Sequence, residues 1–333
     1  MFQNVSSEWG IDIYLCEDKI LLLTSLLIST SPMSNHQALF SQAHEQLLNN
    51  NYVAGFQLLG KPLSVLFQQH EALGTTDQLI ADARAHDIFP SLQQDPYTHR
   101  AFTKPRGYAG DAVMMDYVYE SIPNTNISPM GAGVFQATTR VSMGLSVVYR
   151  KALLSSYIND TVSHSHPFRI LSIASGHCRE LQGSLVLEPA FKGEFVALDA
   201  DALSCAEIMN TYPQDKVQVI HSGIKDILSD KVNLGDDFDF IYSAGLFDYL
   251  ATPVATALVH QLVLKLRPHG RLLIANFVPQ SYGRGYMECF MDWKLIYRTE
   301  EELVALFPAN LQEEVTSFLD PHSNVAYALY RKD

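Results

Sequence analysis

The sequence predicts an α/β protein: a Rossmann-like, doubly wound and mostly parallel sheet behind an N-terminal helical cover. Three observations carry this. After His166 and Pro167, short β-rich runs alternate with helical segments, which implies parallel strands joined by right-handed crossovers. Before that point apolar residues recur at helical spacing instead. The length of 333 residues is enough to bury a full α/β core and still carry an extra subdomain.

Residues 1–32 are set apart as a leader or a non-native start. Within them, Lys19 to Ser31 (KILLLTSLLISTS) has an apolar core too short to span a bilayer. Glu17 and Asp18 also spoil the basic flank of a signal peptide. Met33 is an alternative start, since Ser34 is suited to cap a helix opening with HQALFSQAHEQLL.

Residues 33–160 form the predicted cover. Leu39, Phe40, Ala43, Leu47 and Leu48 mark a helical stripe that resumes from Phe56 to Leu73. Pro90 and Pro96 punctuate a polar passage, and TKPRGYAGD then makes a glycine turn before an aromatic and Met-rich stretch. Gly133 to Ile158 reads as one long helix leading to the main domain.

Residues 161–333 hold the predicted strands FRILSIA, EFVALDA, VQVIHS, FDFIYSAG, GRLLIANF and VAYALYRKD. SLVLEPAF, ALSCAEIMN and Val254 to Leu266 read as the helices between them.

A formal charge of −13 disfavours nucleic acid as a partner. Four dispersed cysteines without C-x-x-C spacing predict reduced thiols of a cytoplasmic protein, with neither a zinc site nor a disulfide framework. No stable membrane span is expected.

Ligands of open α/β sheets bind beyond the carboxyl ends of the strands. Ala174, Ser175 and Gly176 end the first strand in small residues that allow close approach, or simply a tight strand-to-helix connection. The next strand ends at Asp199 and Ala200, the spacing at which an acid accepts hydrogen bonds from a ribose diol. A nicotinamide cofactor also fits turn plus acid, although a diphosphate prefers more free backbone N–H groups. Asp226, just after the third strand, is either an acceptor for an adenine amino group or a helix-start charge. Ser243, Gly245 and Leu246 end the fourth strand as a second ligand-contact segment, with Leu246, Phe247 and Tyr249 as an apolar wall or plain core.

The pieces TKPRGYAGDAVMMDYVY, RILSIASGHCREL, FVALDAD, FDFIYSAGLFDYL, LLIANF and MDWKLIYRTEEEL resemble bacterial class I S-adenosylmethionine-dependent methyltransferases of the 3-hydroxypalmitic acid methyl ester synthase type. The resemblance runs from Arg100 to Asp333. It implies a class I methyltransferase fold and S-adenosyl-L-methionine as cosubstrate. It also implies Ala174 and Gly176 beside the methionine part, Asp199 at the ribose, Asp226 near adenine and Gly245 toward the sulfonium. Ser172 stands where relatives carry an acid, so Glu180, backbone carbonyls or Asp111 would have to hold the methionine ammonium.

On this reading the activity is in-line methyl transfer to a small or fatty-acid-like carboxylate or hydroxyl acceptor, with no metal. The donor is already activated, so alignment and a dry enclosure supply most of the catalysis. Tyr108 is expected over the sulfonium, Arg140 or Arg106 on an acceptor carboxylate, and Asn276 at a strand end as a catalytic amide. Tyr282, Trp293 and Tyr297 are candidates for an acceptor pocket. A chemically distinct alternative keeps the same cosubstrate: its own amine closes an azetidine ring and releases methylthioadenosine. A non-catalytic S-adenosylmethionine-binding regulatory module is a third.

Overall fold

The computed structural model describes residues 32–120, 126–163 and 167–333. The proposed leader of residues 1–32 therefore lies almost wholly outside the described residues. The described residues open with α1 (Pro32–Leu48), α2 (Tyr52–Leu59), α3 (Lys61–Ala72) and α4 (Thr76–Ala85), four helices where the periodicity alone read continuously. Short connections at Asn49–Asn51, Gly60 and Gly74 separate them. At Gly60 a Cβ would sit 2.1 Å from the Tyr282 ring, so a side chain there would clash.

Next come α5 (Ile88–Leu92), α6 (Pro96–Thr103) and α7 (Ala112–Glu120). The Asp95 side chain caps α6 by accepting from Tyr97 N and Thr98 N. The predicted long helix is two: α8 (Pro129–Arg140) and α9 (Ser142–Val162), divided at Val141, which is extended at φ −70° and ψ 168°. Thr138 and Thr139 donate back to the carbonyls of Val134 and Phe135 just before the break, a habit that weakens a helix's own ladder. Gly144 lies so close to the Thr139 carbonyl that a Cβ would come within 2.1 Å of it.

The seven strands are β1 (Phe168–Ile173), β2 (Gly193–Asp199), β3 (Val217–His221), β4 (Phe238–Ser243), β5 (Leu266–Phe277), β6 (Thr316–Leu319) and β7 (Val325–Arg331). They form one sheet in the order β3-β2-β1-β4-β5-β7-β6. β1 to β5 pair in parallel, and β7 runs antiparallel to both β5 and β6. The strand order reverses at β1, between β2 and β4, which places the ligand crevice of such sheets over the ends of those three strands.

Two differences from the sequence reading stand out. SLVLEPAF is not a helix; only a 3-10 turn forms at Leu185–Leu187, between the Ser184 cap and Pro189. α9 lies against that crossover instead. β6 is a strand that the sequence reading did not find; its short, partly exposed TSFL run carries little apolar signal.

Three apolar clusters hold the molecule together. One covers one face of the sheet, with Leu171, Ile241, Phe247 and Leu262. A second covers the other face and takes in Val147, Leu154 and Ile158 of α9. The third fills the helical cover and recruits Tyr286, Met287, Phe290 and Trp293 from beyond β5. This excursion is sewn to the cover by polar contacts: Ser64 Oγ donates to Tyr282 O at 2.7 Å, and Arg84 pairs with Asp292 at 2.8 Å. Among the described residues no helix is long and apolar enough to cross a membrane.

Candidate functional site

A cleft of about 700 Å³ opens over the carboxyl ends of β1, β2 and β4. Its floor is the turn after β1. Ala174, Gly176 and Cys178 all adopt left-handed backbone, with φ of 55°, 57° and 51°. For Ala174 and Cys178 this conformation is costly, and such strain gathers at ligand sites. Asp199, at the end of β2, fastens the turn: its carboxylate accepts from Gly176 N and Asp201 N, both at 2.8 Å. Burial raises its pKa, against the effect of those two bonds.

Of the residues singled out in the sequence, Tyr108, Ala174, Ser175, Gly176, Asp199, Ala200, Gly245 and Leu246 all line this cleft. Ile224, Ser222 and Gly223 line it from the β3 side. Asp226 does not; its carboxylate accepts from Ser222 Oγ at 3.1 Å inside the short helix that follows β3. Ser243 is also turned away, donating to Ile173 O at 2.9 Å and locking β4 to β1.

Three further expectations are corrected. Asp111 is held by the Arg100 guanidinium at 2.7 Å and accepts from Met114 N, so it braces the start of α7 and is absent from the cleft wall. Arg140 ends α8 exposed and lines neither cleft nor pocket. Asn276 is fully buried and spent on structure: Nδ2 donates to Phe277 O and Ile296 O, and Oδ1 accepts from Arg298.

In their place stand residues that the sequence reading passed over or mentioned only as substitutes. Arg150, on α9, is buried and donates to Ala244 O at 2.5 Å. Glu180 puts a buried carboxylate in the cleft, accepting from the Tyr242 hydroxyl, with its pKa raised by burial. At the mouth, Arg106 pairs with Asp201 at 2.9 Å and is not free to grip an acceptor. Asp116 receives His177 and Arg179, each at 2.8 Å. Burial opposes ionisation of Asp116, but these two partners outweigh it and lower its pKa.

A second cavity of about 70 Å³ lies deeper, between the sheet and the cover. Aromatic and sulfur-bearing side chains dominate its wall, among them Phe56, Tyr97, Met143, Tyr282, Tyr286 and Trp293. Thr138, Val141 and Gly144 bring the α8–α9 break into it. Tyr297 is not in its wall; its ring lies under the Arg284 guanidinium at 4.4 Å. Cleft and inner pocket share Gly110, Met115, Arg150, Gly245 and Tyr249. At Gly110 (φ 72°) a Cβ would meet Trp293 at 2.3 Å and the Tyr249 hydroxyl at 2.7 Å, so glycine lets the strap of residues 104–111 lie against that shared wall.

No protein-family model matches the chain, and no curated protein matches it significantly. Among solved structures it is similar to a possible exported protein from Bordetella parapertussis, at 15% identity and a TM-score of 0.56, covering 91% of this chain and 97% of that one. The fold is Rossmann-like, a mixed seven-stranded sheet flanked by helices with a helical region N-terminal to it. Weaker likenesses include the N-methyltransferase NodS from Bradyrhizobium japonicum in complex with S-adenosyl-L-homocysteine (12% identity, TM-score 0.39, 56% of this chain and 87% of that one). Another is the plantazolicin methyltransferase BamL in complex with a desmethyl analogue and S-adenosyl-L-homocysteine (12% identity, TM-score 0.44, 74% and 97%). At such identities the likeness concerns the fold alone.

Proposed function

We propose that the protein is an S-adenosylmethionine-dependent methyltransferase acting on a small acceptor with an apolar body. One observation carries the reading: a cleft sized for a nucleoside cosubstrate meets a separate, largely apolar pocket along a single shared wall at Gly110, Arg150, Gly245 and Tyr249. Methyl transfer needs this arrangement, because donor sulfur, methyl and acceptor atom must fall in line across a boundary that excludes water.

In this reading the left-handed turn and Glu180 receive the methionine part, with Glu180 supplying the carboxylate that Ser172 lacks. Asp199 accepts from the ribose hydroxyls, and Ala200, Ile224 and Leu246 enclose the base. Tyr108, 39% exposed, closes the cleft from above. The residues present therefore suit the cosubstrate, which brings an already activated methyl group. The chain's own work is alignment, desolvation and management of charge at the shared wall. The aromatic and methionine lining of the inner pocket supports an acceptor with an apolar body.

The intramolecular alternative, in which the donor's own amine attacks and methylthioadenosine leaves, uses the same cleft. Incubation of the protein with S-adenosylmethionine, with and without a metabolite extract, followed by mass spectrometry of the sulfur-containing product, separates the two. S-adenosylhomocysteine marks transfer and methylthioadenosine marks cyclisation. Equilibrium dialysis showing no binding at saturating donor overturns both.

A further inference from the structure

Asp248 stands apart from the other buried acids. It lies in the 3-10 turn Phe247–Tyr249 directly after β4, is 3% exposed, and lines the inner pocket next to the shared wall. Phe277 N donates to its Oδ1 at 2.7 Å, while Ile296 N donates to its main-chain carbonyl at 2.7 Å and fixes the turn. Its own main-chain N–H also bonds the carboxylate, and among the described residues no side chain donates to it. Asp95, by comparison, collects two backbone and two hydroxyl donors.

Two guanidiniums lie close enough to influence Asp248, yet neither pairs with it. Arg150 gives its bonds to Ala244 O and the Met115 sulfur. Arg298 gives its bonds to Phe247 O, Leu250 O and Asn276 Oδ1. A carboxylate kept for structure is normally matched by its own partners. This one is held by main-chain N–H groups alone, with no side-chain partner, beside the place where an acceptor atom would meet the donor.

We propose that Asp248 is the general base of the reaction, and that the nucleophile is a proton-bearing hydroxyl or amine and not a preformed carboxylate. The proposal rests on the methyltransferase-type reading of the cleft. The nucleophile's lone pair forms the new bond to carbon while the carbon–sulfur bond breaks, its electron pair staying on sulfur. The O–H or N–H proton passes to Asp248 Oδ2 and leaves to solvent on product release. A sulfonium and a carboxylate thus become a thioether and a carboxylic acid. Two opposite charges disappear together in a dry enclosure, where an uncompensated charge is costly. Burial pushes the Asp248 carboxyl up to about 6, against the Phe277 N–H and the charges of Arg150 and Arg298. That is near the strength that suits proton transfer at neutral pH. Tyr249 and Tyr297 also face it electrostatically, and burial raises both phenols well above their ordinary range, so neither competes for the proton.

The test uses the whole protein, S-adenosylmethionine and probes with one apolar body and different nucleophiles: 2-phenylethanol, 2-phenylethylamine, phenylacetate and no added acceptor. Turnover with the alcohol, the amine or no acceptor, in preference to phenylacetate, is expected. S-adenosylhomocysteine or methylthioadenosine as product tells whether the proton-bearing group is external or the donor's own amine. kcat in wild type should fall as pH drops through about 6. Asp248→Asn, which keeps an acceptor for Phe277 N–H, should lose about 10² to 10⁴-fold in kcat and lose that pH dependence. Its dissociation constant for S-adenosylhomocysteine should stay within about twofold, since a general base acts on the nucleophile and not on donor binding.

Preference for phenylacetate, turnover of none of the probes, or an Asp248→Asn variant with wild-type kcat and pH profile overturns the proposal. If the variant does not fold, the wild-type pH profile and the probe ranking decide. Calorimetry of wild type with S-adenosylhomocysteine keeps the two readings apart: binding with a failed Asp248 test removes only the base, whereas no binding removes the methyltransferase reading itself.

Discussion

At the scale of single residues, Asp199 fastens the turn after β1, a role beyond the ribose contact proposed for it. Its position at the end of β2 was legible from the pattern FVALDAD, because an acid there is common to ribose-binding sheets. Its hold on Gly176 N and Asp201 N was not, since it depends on how the preceding turn folds. Asp199→Ala should therefore weaken S-adenosylhomocysteine binding by about 1 to 3 kcal/mol, the scale of hydrogen bonds lost to a charged group. Calorimetry checks this, and unchanged affinity in a folded variant removes Asp199 from the site. Asp248 escaped the sequence reading for a physical reason: it sits among Leu246, Phe247 and Tyr249, whose apolar bulk reads as wall. The usable signal was the lone acid in that run, since buried acids are rare unless they are partnered or functional.

At the scale of elements, the break between α8 and α9 decides which arginine reaches the wall shared by cleft and inner pocket. Read as one helix, Gly133 to Ile158 offered Arg140, alongside Arg106 before it, as a candidate for an acceptor carboxylate. The structure stops α8 at Arg140, leaves it exposed, and restarts α9 so that Arg150 is buried against the end of β4. Thr138, Thr139 and Val141 are compatible with a helix's apolar spacing, so periodicity alone cannot reveal the break. Gly144 makes it possible by sitting against the Thr139 carbonyl. Gly144→Ala should cost about 1 to 3 kcal/mol of stability, the scale of overpacking at a close contact, as read from chemical denaturation. A variant as stable as wild type would show that the bend adjusts freely. The sheet, in contrast, was nearly all legible, because its strands are short apolar runs bounded by turns. Only β6 was hidden, being short and half exposed at the sheet's edge.

At the scale of the whole molecule, buried acids in both parts, Asp95 in the cover and Asp248 at the sheet, couple protonation to folding. Burial raises the Asp95 carboxyl to about 6, against its four hydrogen bonds. A group raised on folding favours the native state most below its unfolded value, here near 3.8, and that contribution is lost as pH rises through about 6. Asp95→Asn should therefore flatten the stability profile between those values by up to about 3 kcal/mol, measured by urea denaturation across the range. A profile with the wild-type slope would mean that Asp95 is not buried as an acid. Asp248 obeys the same sign, so wild type should become less stable, not more, over this window from these two groups. The cover's helices were legible as a class, but their packing was not, because Tyr286 to Trp293 enters that core from beyond β5.

The thiols behind the cleft have a practical corollary. Cys178 and Cys205 are buried against the turn and the end of β2, and burial holds both thiols protonated, the second at about 11. Iodoacetamide should then react with either only when that corner of the molecule opens. Peptide-resolved alkylation rates become a gauge of local breathing, and a molecule seated in the cleft should slow them at both positions.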